Sequence, residues 1–427
     1  MHIALGAIAK NEGPYLLEWI AWHRRIGFDE ILICDNDSDD GSSDLLAALD
    51  RAGIITHIPF PDTPGQRPQM YAYQELLSRT RGTADWLALF DLDEFLVPTG
   101  AQSLRDCLAA QPANSGGVLV NWAMFGSSGQ REPDDPVAPS PTLERFTRRA
   151  EITAGHNTCV KPILRPQTAS SRPELRNPHA LTLDEGFVYT DPGGTQIDIS
   201  TRGDWGQSPS VNWTGLRLNH YATRSRSEYM TCKSARGDAI NTRARPPVAF
   251  SSLDQNAVAD PMPPDEIAAL RAQIARLRDI AVTKGGLAPD WAPTPLETAP
   301  PPSLEDRMKV DGLYYCAGQD SFLLDAAFVD DLGSPGIATT DLTLVTGDRE
   351  LPAQRIEQYY RSDLPSQWAL AHPMCGARVW FAAAAARTTG PVDLVAGFDP
   401  VAVGLSVTEI PAGGTLPPLP HEAPPPR

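Results

Sequence analysis

Trp86-Leu87-Ala88-Leu89-Phe90-Asp91-Leu92-Asp93-Glu94-Phe95-Leu96-Val97 is the stretch on which the reading of this chain turns. The five apolar residues that open it are a strand by length and composition. Two carboxylates two residues apart follow at the strand's end, and both turn into one pocket if the backbone bends there. Magnesium or manganese takes hard oxygen ligands and binds one or two carboxylates together with substrate phosphates. The competing reading is a solvated turn with capping carboxylates. Phe95-Leu96-Val97 on the far side buries the segment's other flank, which counts against idle charges between the two.

Working outward, the first hundred residues alternate strand and helix signals. Ile3 to Ile8, Ile31 to Cys34, Ile54 to Ile58 and Trp86 to Phe90 read as strands. Tyr15 to Ile26, Ser43 to Leu49 and Gln69 to Arg79 read as helices. Such alternation implies βαβ units and a parallel sheet, with ligands gathering at the carboxyl ends of the strands. Two of those ends carry polar segments. Lys10-Asn11-Glu12 follows the first strand, and Asp35-Asn36-Asp37-Ser38-Asp39-Asp40-Gly41-Ser42 follows the second. Capping of the helix that starts near Ser43 accounts for Ser42 and Asp44. It leaves four aspartates without a purpose, and these have the chemistry to accept from a nucleobase N–H or from ribose hydroxyls.

From about 112 to 215 the chain is rich in Pro, Gly and Ser and reads as a loop-heavy half-site. Residues 265–280 carry Ile267, Leu270, Ile274 and Leu277 at helical spacing, which predicts a packing helix. Six prolines between 288 and 302 predict an extended spacer. The expected organisation is α/β: a catalytic domain over 1–285, a Pro-rich linker over 286–303, a β-rich accessory domain over 304–412 and a disordered tail over 413–427.

The formal net charge of -17 supplies no basic stripe for nucleic acid. The six cysteines stand singly, with no CxxC pair for zinc or thioredoxin-type chemistry. The N-terminal apolar run is too short for a signal or membrane segment, so the expected location is the cytoplasm, with room for a loose association with a membrane surface.

The ordered series reaches a family. Ala9-Lys10-Asn11-Glu12, Glu18-Trp19-Ile20-Ala21-Trp22-His23, Asp35 to Ser42 and Phe90-Asp91-Leu92-Asp93-Glu94-Phe95 resemble the family-2-like glycosyltransferases of the GT-A fold, in the branch with an Asp-x-Asp-Glu-Phe segment. The resemblance continues through Phe125-Gly126-Ser127-Ser128-Gly129, Val160 to Arg165, and Leu218 to Tyr221 with Ser225 to Tyr229. It fades near 260. It implies a mixed sheet flanked by helices, a nucleotide-sugar donor (a UDP-sugar) and a carbohydrate or glycan acceptor. Asp91, Asp93 and His220 would ligate Mn2+ or Mg2+, and the cation would stabilise the leaving diphosphate. Ala9, Asn11, Glu12, Asp35 and Asp37 would line the nucleoside, with Asp35 and Asp37 on base and ribose. Lys161, Arg165 and Arg224 would contact phosphate, and Arg226 and Lys233 follow Arg224 on an expected helix. For the base that deprotonates the acceptor hydroxyl, Glu132, Asp134 and Asp184 are the candidates. Two other readings stand beside this one. An Asp-nucleophile phosphohydrolase would carry its Asp pair near the N-terminus, followed by Thr or Val. A non-catalytic carbohydrate-binding protein would need no ordered set of carboxylates.

Overall fold

The computed structural model describes residues 1–63, 67–170, 178–199, 206–233, 250 and 253–296, together with strands between 308 and 410 and residue 412. Contacts divide the chain into two units, Met1–Arg245 with Leu253–Thr298, and Pro246–Ser252 with Ala299–Arg427.

The first unit is a mixed sheet between helices. Its strands are β1 (Ile3–Ala9), β2 (Glu30–Asp35), β3 (Thr56–Pro59), β4 (Trp86–Leu89), β5 (Glu94–Pro98), β6 (Ser115–Met124), β7 (Arg148–Arg149), β8 (Val160–Leu164), β9 (Val188–Thr190), β10 (Gln196–Ile197), β11 (Leu216–His220) and β12 (Val258–Ala259). The helices are α1 (Gly13–Ile26), α2 (Ser42–Arg51), α3 (Pro68–Thr80), α4 (Leu104–Ala109), the short α5 (Thr142–Arg145) and α6 (Arg226–Glu228), and α7 (Pro264–Thr283). The main sheet runs β10-β9-β6-β8-β4-β1-β2-β3. β1 pairs parallel with β2 and β4, while β8 lies antiparallel between β4 and β6. β6 continues past this sheet to pair parallel with β11, which in turn runs antiparallel to β5.

β1 explains the layering. Alternate side chains of a strand point to opposite faces, and both faces are covered here. Ile3, Leu5 and Ala7 join the core cluster that includes residues of α1, α2 and α7. Ala4 joins the cluster around Ala72, Tyr73 and Leu76 of α3. α3 packs tightly over Gly6, since a Cβ there would lie 2.9 Å from Leu76 Cδ1. On α7, Leu270, Leu277 and Ala281 are buried against this unit, which fits the packing helix expected over 265–280.

The second unit holds β13 (Met308–Cys316), β14 (Ser321–Phe328), β15 (Leu342–Thr346), β16 (Arg349–Tyr359), β17 (Gly376–Ala382), β18 (Val392–Ala396), β19 (Asp399–Leu405) and β20 (Val407–Ile410). They form one sheet in the order β19-β18-β15-β16-β17-β14-β13-β20, antiparallel except where β20 joins β13. Phe322, Leu324, Val379 and Phe381 are buried on it. The expectation of a β-rich C-terminal part therefore matches the structure. The tail over 413–427 lies outside the described residues.

The linker expectation needs correction over its first half. Residues 286–296 lie on the first unit and are not an extended spacer. Gly285 sits so close to α2 that a Cβ would fall 2.2 Å from Ala48 O, and Arg51 Nε donates to Gly285 O at 2.7 Å. Arg278 donates to Trp291 O, Thr294 N to Asp40 O and Leu296 N to Pro136 O. The prolines that disfavour a helix also pre-set an extended path that follows the surface. A chain ending at Thr298 keeps all of these contacts, and one ending at Leu287 loses those of Trp291, Thr294 and Leu296. The shorter chain should melt several degrees lower, since a loss of about 1–2 kcal/mol moves a unit of this size by roughly 2–6 °C. Equal melting temperatures in a thermal scan would show that the segment contributes nothing.

Candidate functional site

The carboxyl ends of β1, β2, β4, β6 and β11 meet at one end of the sheet. Ala9 pairs with Asp35 in register, which sets the loops after β1 and β2 side by side. Those loops are stitched together. Asn11 N donates to Ser38 Oγ, and the Asn11 amide exchanges hydrogen bonds with Asp39 at 2.7 and 2.9 Å. Asp40 Oδ2 accepts from Gly13 N at the start of α1, where a carboxylate also answers the helix dipole. Two of the four aspartates are thereby explained as loop and helix caps. Asp35 is 6% exposed and accepts from Ser38 N, Ser43 Oγ and His57, and these bonds outweigh burial and hold its pKa below the usual carboxylate range. In this geometry Asp35 shapes the loop. Asp37 is exposed and accepts from Asp62 N at 2.8 Å.

The turn Asp91–Glu94 is held on every side. Asp91 N donates to Glu94 Oε2 and Glu94 N to Asp91 O. Trp19 Nε1 donates to the carbonyls of Asp91 and Glu94, and Trp22 Nε1 donates to Leu96 O at 2.7 Å. His23 Nε2 accepts from Leu96 N while its Nδ1 donates to Trp19 O. Trp19, Trp22 and His23 share one face of α1 because they are spaced i, i+3, i+4. Tyr221 N reaches Asp93 O from the end of β11.

Two groups of side chains face this end. Lys161, on β8, has no exposed surface; its Nζ lies 2.9 Å from Asp91 Oδ2 and 3.6 Å from Glu94 Oε2 and donates to Tyr73 Oη at 3.3 Å. Gln69 and Tyr73, one turn apart on α3, both donate to Asp91 Oδ1. Burial alone would raise the Asp91 pKa, but Lys161 outweighs it and holds the carboxyl at about 2. Glu94, fully buried, is pushed up to about 7 by burial despite the same lysine. The second group is Asp93 with His220, whose Nε2 lies 3.3 Å from Asp93 Oδ2. The antiparallel register of β5 and β11, with His220 opposite Glu94, brings them together. The His220 ring lies tilted against Trp122 at 4.2 Å, and His179 meets the same indole edge-on at 5.3 Å. Burial and the nearby Lys161 hold His179 neutral, at a pKa of about 4.

Several expected contacts are placed elsewhere. Arg224 is 2% exposed in a left-handed turn (φ 51°) ahead of α6. Its guanidinium is forked on Glu12 Oε2 at 3.0 Å and lies over the Tyr15 ring at 3.3 Å. Arg224 and Glu12 are therefore an internal pair, with no exposed face toward a phosphate. Tyr15 Oη in turn donates to Glu228, which Arg145 grips with two bonds. Arg226 opens the three-residue α6, and a π-turn over Tyr229–Lys233 replaces the expected longer helix. Arg165 lies at the opposite end of the sheet, over Trp86 at 4.1 Å and donating to Ser115 O, because β8 runs antiparallel to β4. Asp184 is also at that far end, just before β9, which pairs with the start of β6. Neither can reach Asp91. Glu132 is exposed in the loop after β6, and Asp134 pairs with Arg145 at 3.6 Å. Sequence reading passed over Gln69, Tyr73, Trp122 and His179. Only the i, i+4 spacing of Gln69 and Tyr73 carried any signal.

His23 generates a pH prediction. Burial lowers its pKa to about 3 from an ordinary 6.5, since a second ring N–H would face Leu96 N–H. Stability from the neutral ring is fully present above pH 6.5 and is lost as pH falls from there through about 3. Between pH 6.5 and 4.5 the protein should lose about 2–3 kcal/mol on this account. His23→Gln, which keeps an acceptor for Leu96 N, should lose less over that interval in urea melts. An identical pH dependence in the two proteins would refute the assignment.

Residues 9–171 match the model of glycosyltransferase family 92. A family 92 glycosyltransferase from Oryza sativa subsp. japonica is 29% identical over 189 residues, covering 43% of this chain and 30% of that protein. One from Arabidopsis thaliana is 30% identical over 191 residues, covering 42% of this chain and 31% of that protein. The chain spans about a third of the length of the curated relatives it matches. Among solved structures, S. aureus TarS aligns with 95% of this chain and 78% of its own at 10% identity, with a TM-score of 0.29. Glucosyl-3-phosphoglycerate synthase from Mycobacterium tuberculosis, crystallised with Mn2+, UDP-glucose and phosphoglyceric acid, aligns with 40% of this chain and 59% of its own at 14% identity, with a TM-score of 0.23. Likenesses at these scores carry no weight for the chemistry of this chain.

Proposed function

We propose that this chain is a glycosyltransferase that moves a sugar from a nucleotide donor, a UDP-sugar, to a hydroxyl of a glycan or other polysaccharide precursor. The observation that carries this reading is the meeting of Asp93 and His220 at a strand-end rim, beside loops from β1 and β2, within and just beyond a span that matches a glycosyltransferase family.

The residues present fit a divalent cation. One carboxylate oxygen and one imidazole nitrogen at strand ends suit Mn2+ or Mg2+, ions that commonly take their remaining ligands from water and substrate phosphate. Among the described residues no group of three His, Cys, Asp or Glu side chains converges, so the diphosphate would supply part of the shell. Asp93 and His220 would hold the cation, with Asp91 alongside in its pair with Lys161. A bound cation supplies charge for the departing diphosphate. The chain's own part is to position that cation and to present the donor to it. Asn11 and Asp37, on the loops past β1 and β2, would contact the nucleoside of the donor.

Asp93→Asn should weaken UDP binding in the presence of Mn2+ at least about tenfold, a loss of roughly 1.4 kcal/mol. Calorimetry at fixed Mn2+ reads this directly. An unchanged affinity would remove Asp93 from the site, and absence of Mn2+-dependent UDP binding in the unmutated protein would remove the function.

A further inference from the structure

Lys161 is the group that the proposed function leaves without a task. It was expected on phosphate, yet the structure gives its ammonium no surface to present. An ammonium has three donors. Three oxygens stand around this one: Asp91 Oδ2 at 2.9 Å, Tyr73 Oη at 3.3 Å and Glu94 Oε2 at 3.6 Å. The ring of contacts closes on itself, since Tyr73 Oη also donates to Asp91 Oδ1 and Gln69 Nε2 donates to both. Glu94 Oε1 is buried with no hydrogen-bond partner among the described residues, so Lys161 is the cation on which this carboxyl depends.

We infer that Lys161 is a resident cation of the metal loop. It neutralises Asp91 and Glu94 and holds the Asp91–Glu94 turn in shape before any divalent cation arrives, which leaves Asp93 and His220 to receive that cation. Lys161 is thus a positioning residue. The inference rests on the metal-dependent reading proposed for this rim. Glu94 is fully buried and Asp91 partly so, and removing the ammonium they share leaves both carboxylates without their cation. Asp93 belongs to the same turn, two residues from Asp91 and next to Glu94, so a divalent cation held there would bring positive charge to that turn. A chain without the lysine should therefore depend on metal for stability in a way the unmutated protein does not.

The test uses the full chain and MnCl2 alone, read by thermal melting in EDTA and in millimolar Mn2+. Lys161→Met should melt well below the unmutated protein in EDTA. Mn2+ should restore more than half of the deficit, a shift at least about twice that of the unmutated protein. The double variant Lys161→Met with Asp91→Asn removes the ammonium and a carboxylate together, so it should fold in EDTA and shift with Mn2+ no more than the unmutated protein. The inference is overturned if Lys161→Met melts as the unmutated protein does, or if Mn2+ restores none of its deficit. Should the single variant fail to fold at all, recovery of folding in the double variant supports the inference. Failure of the double variant as well assigns the loss to packing and overturns it. Failure of the proposed function reads differently: the unmutated protein would then bind no UDP with Mn2+, whatever the lysine variants do.

Discussion

An ammonium that water cannot reach must be surrounded by oxygen, and this requirement organises the rim of the sheet. Lys161 arrives on β8, between β4 and β6, and burial without partners would cost several kcal/mol. Asp91 at the end of β4, Glu94 at the start of β5 and Tyr73 on α3 all turn toward it. That convergence bends the chain between β4 and β5. Asp93 lies within that bend, where the β5–β11 register brings His220 beside it.

A second buried set of charges fastens the same rim from the other side. Glu12, Arg224, Tyr15, Glu228 and Arg145 form an unbroken sequence of contacts from the loop after β1, through the turn after β11, to α5. Arg224 also reaches Leu92 O, inside the metal loop. Arginine suits this place because its planar fork bonds Glu12 twice while one face lies on Tyr15, which lysine cannot reproduce. Glu18 extends the theme by accepting from the N–H groups of Thr142 and Leu143 at the start of α5.

The strand–helix order of the first hundred residues was legible because apolar period and turn chemistry agree there. α1 to α3 and β1 to β4 fall within a few residues of their expected bounds. The stretch from 112 to 215 was harder. Its Pro, Gly and Ser content masks β6, a ten-residue strand in the sheet, and β8, whose antiparallel insertion reverses what lies at each end. That reversal is why Lys161 belongs to the site while Arg165, four residues on, does not. The direction of a strand is a tertiary property that local pattern does not encode. Charge roles were misread for a related reason. Arg224 and Lys161 look like solvent-facing cations in a series of motifs, and only long-range pairing shows that each is already taken. One clue was available: a lysine inside Val160-Lys161-Pro162-Ile163-Leu164, an otherwise apolar strand, calls for a buried partner.

Four residues other than glycine adopt left-handed backbone among the described residues: Asn11, Asp37, Ser128 and Arg224, with φ between 51° and 54°. They follow the ends of β1, β2, β6 and β11, so every one stands on the same rim. Each such residue costs about 1–2 kcal/mol against ordinary backbone. What keeps them there is contact with neighbours, as Asn11 is kept by Asp39, Asp37 by Asp62 N–H and Arg224 by Glu12. The rim is therefore held by cross-loop bonds that must be made together, over a sheet that needs none of them. When one loop lets go, its neighbours lose part of what opposes their own relaxation, and the backbone strain favours release. Opening should be collective at the rim and less costly there than in the strands beneath, so that entry of a ligand and loosening of the loops become a single event.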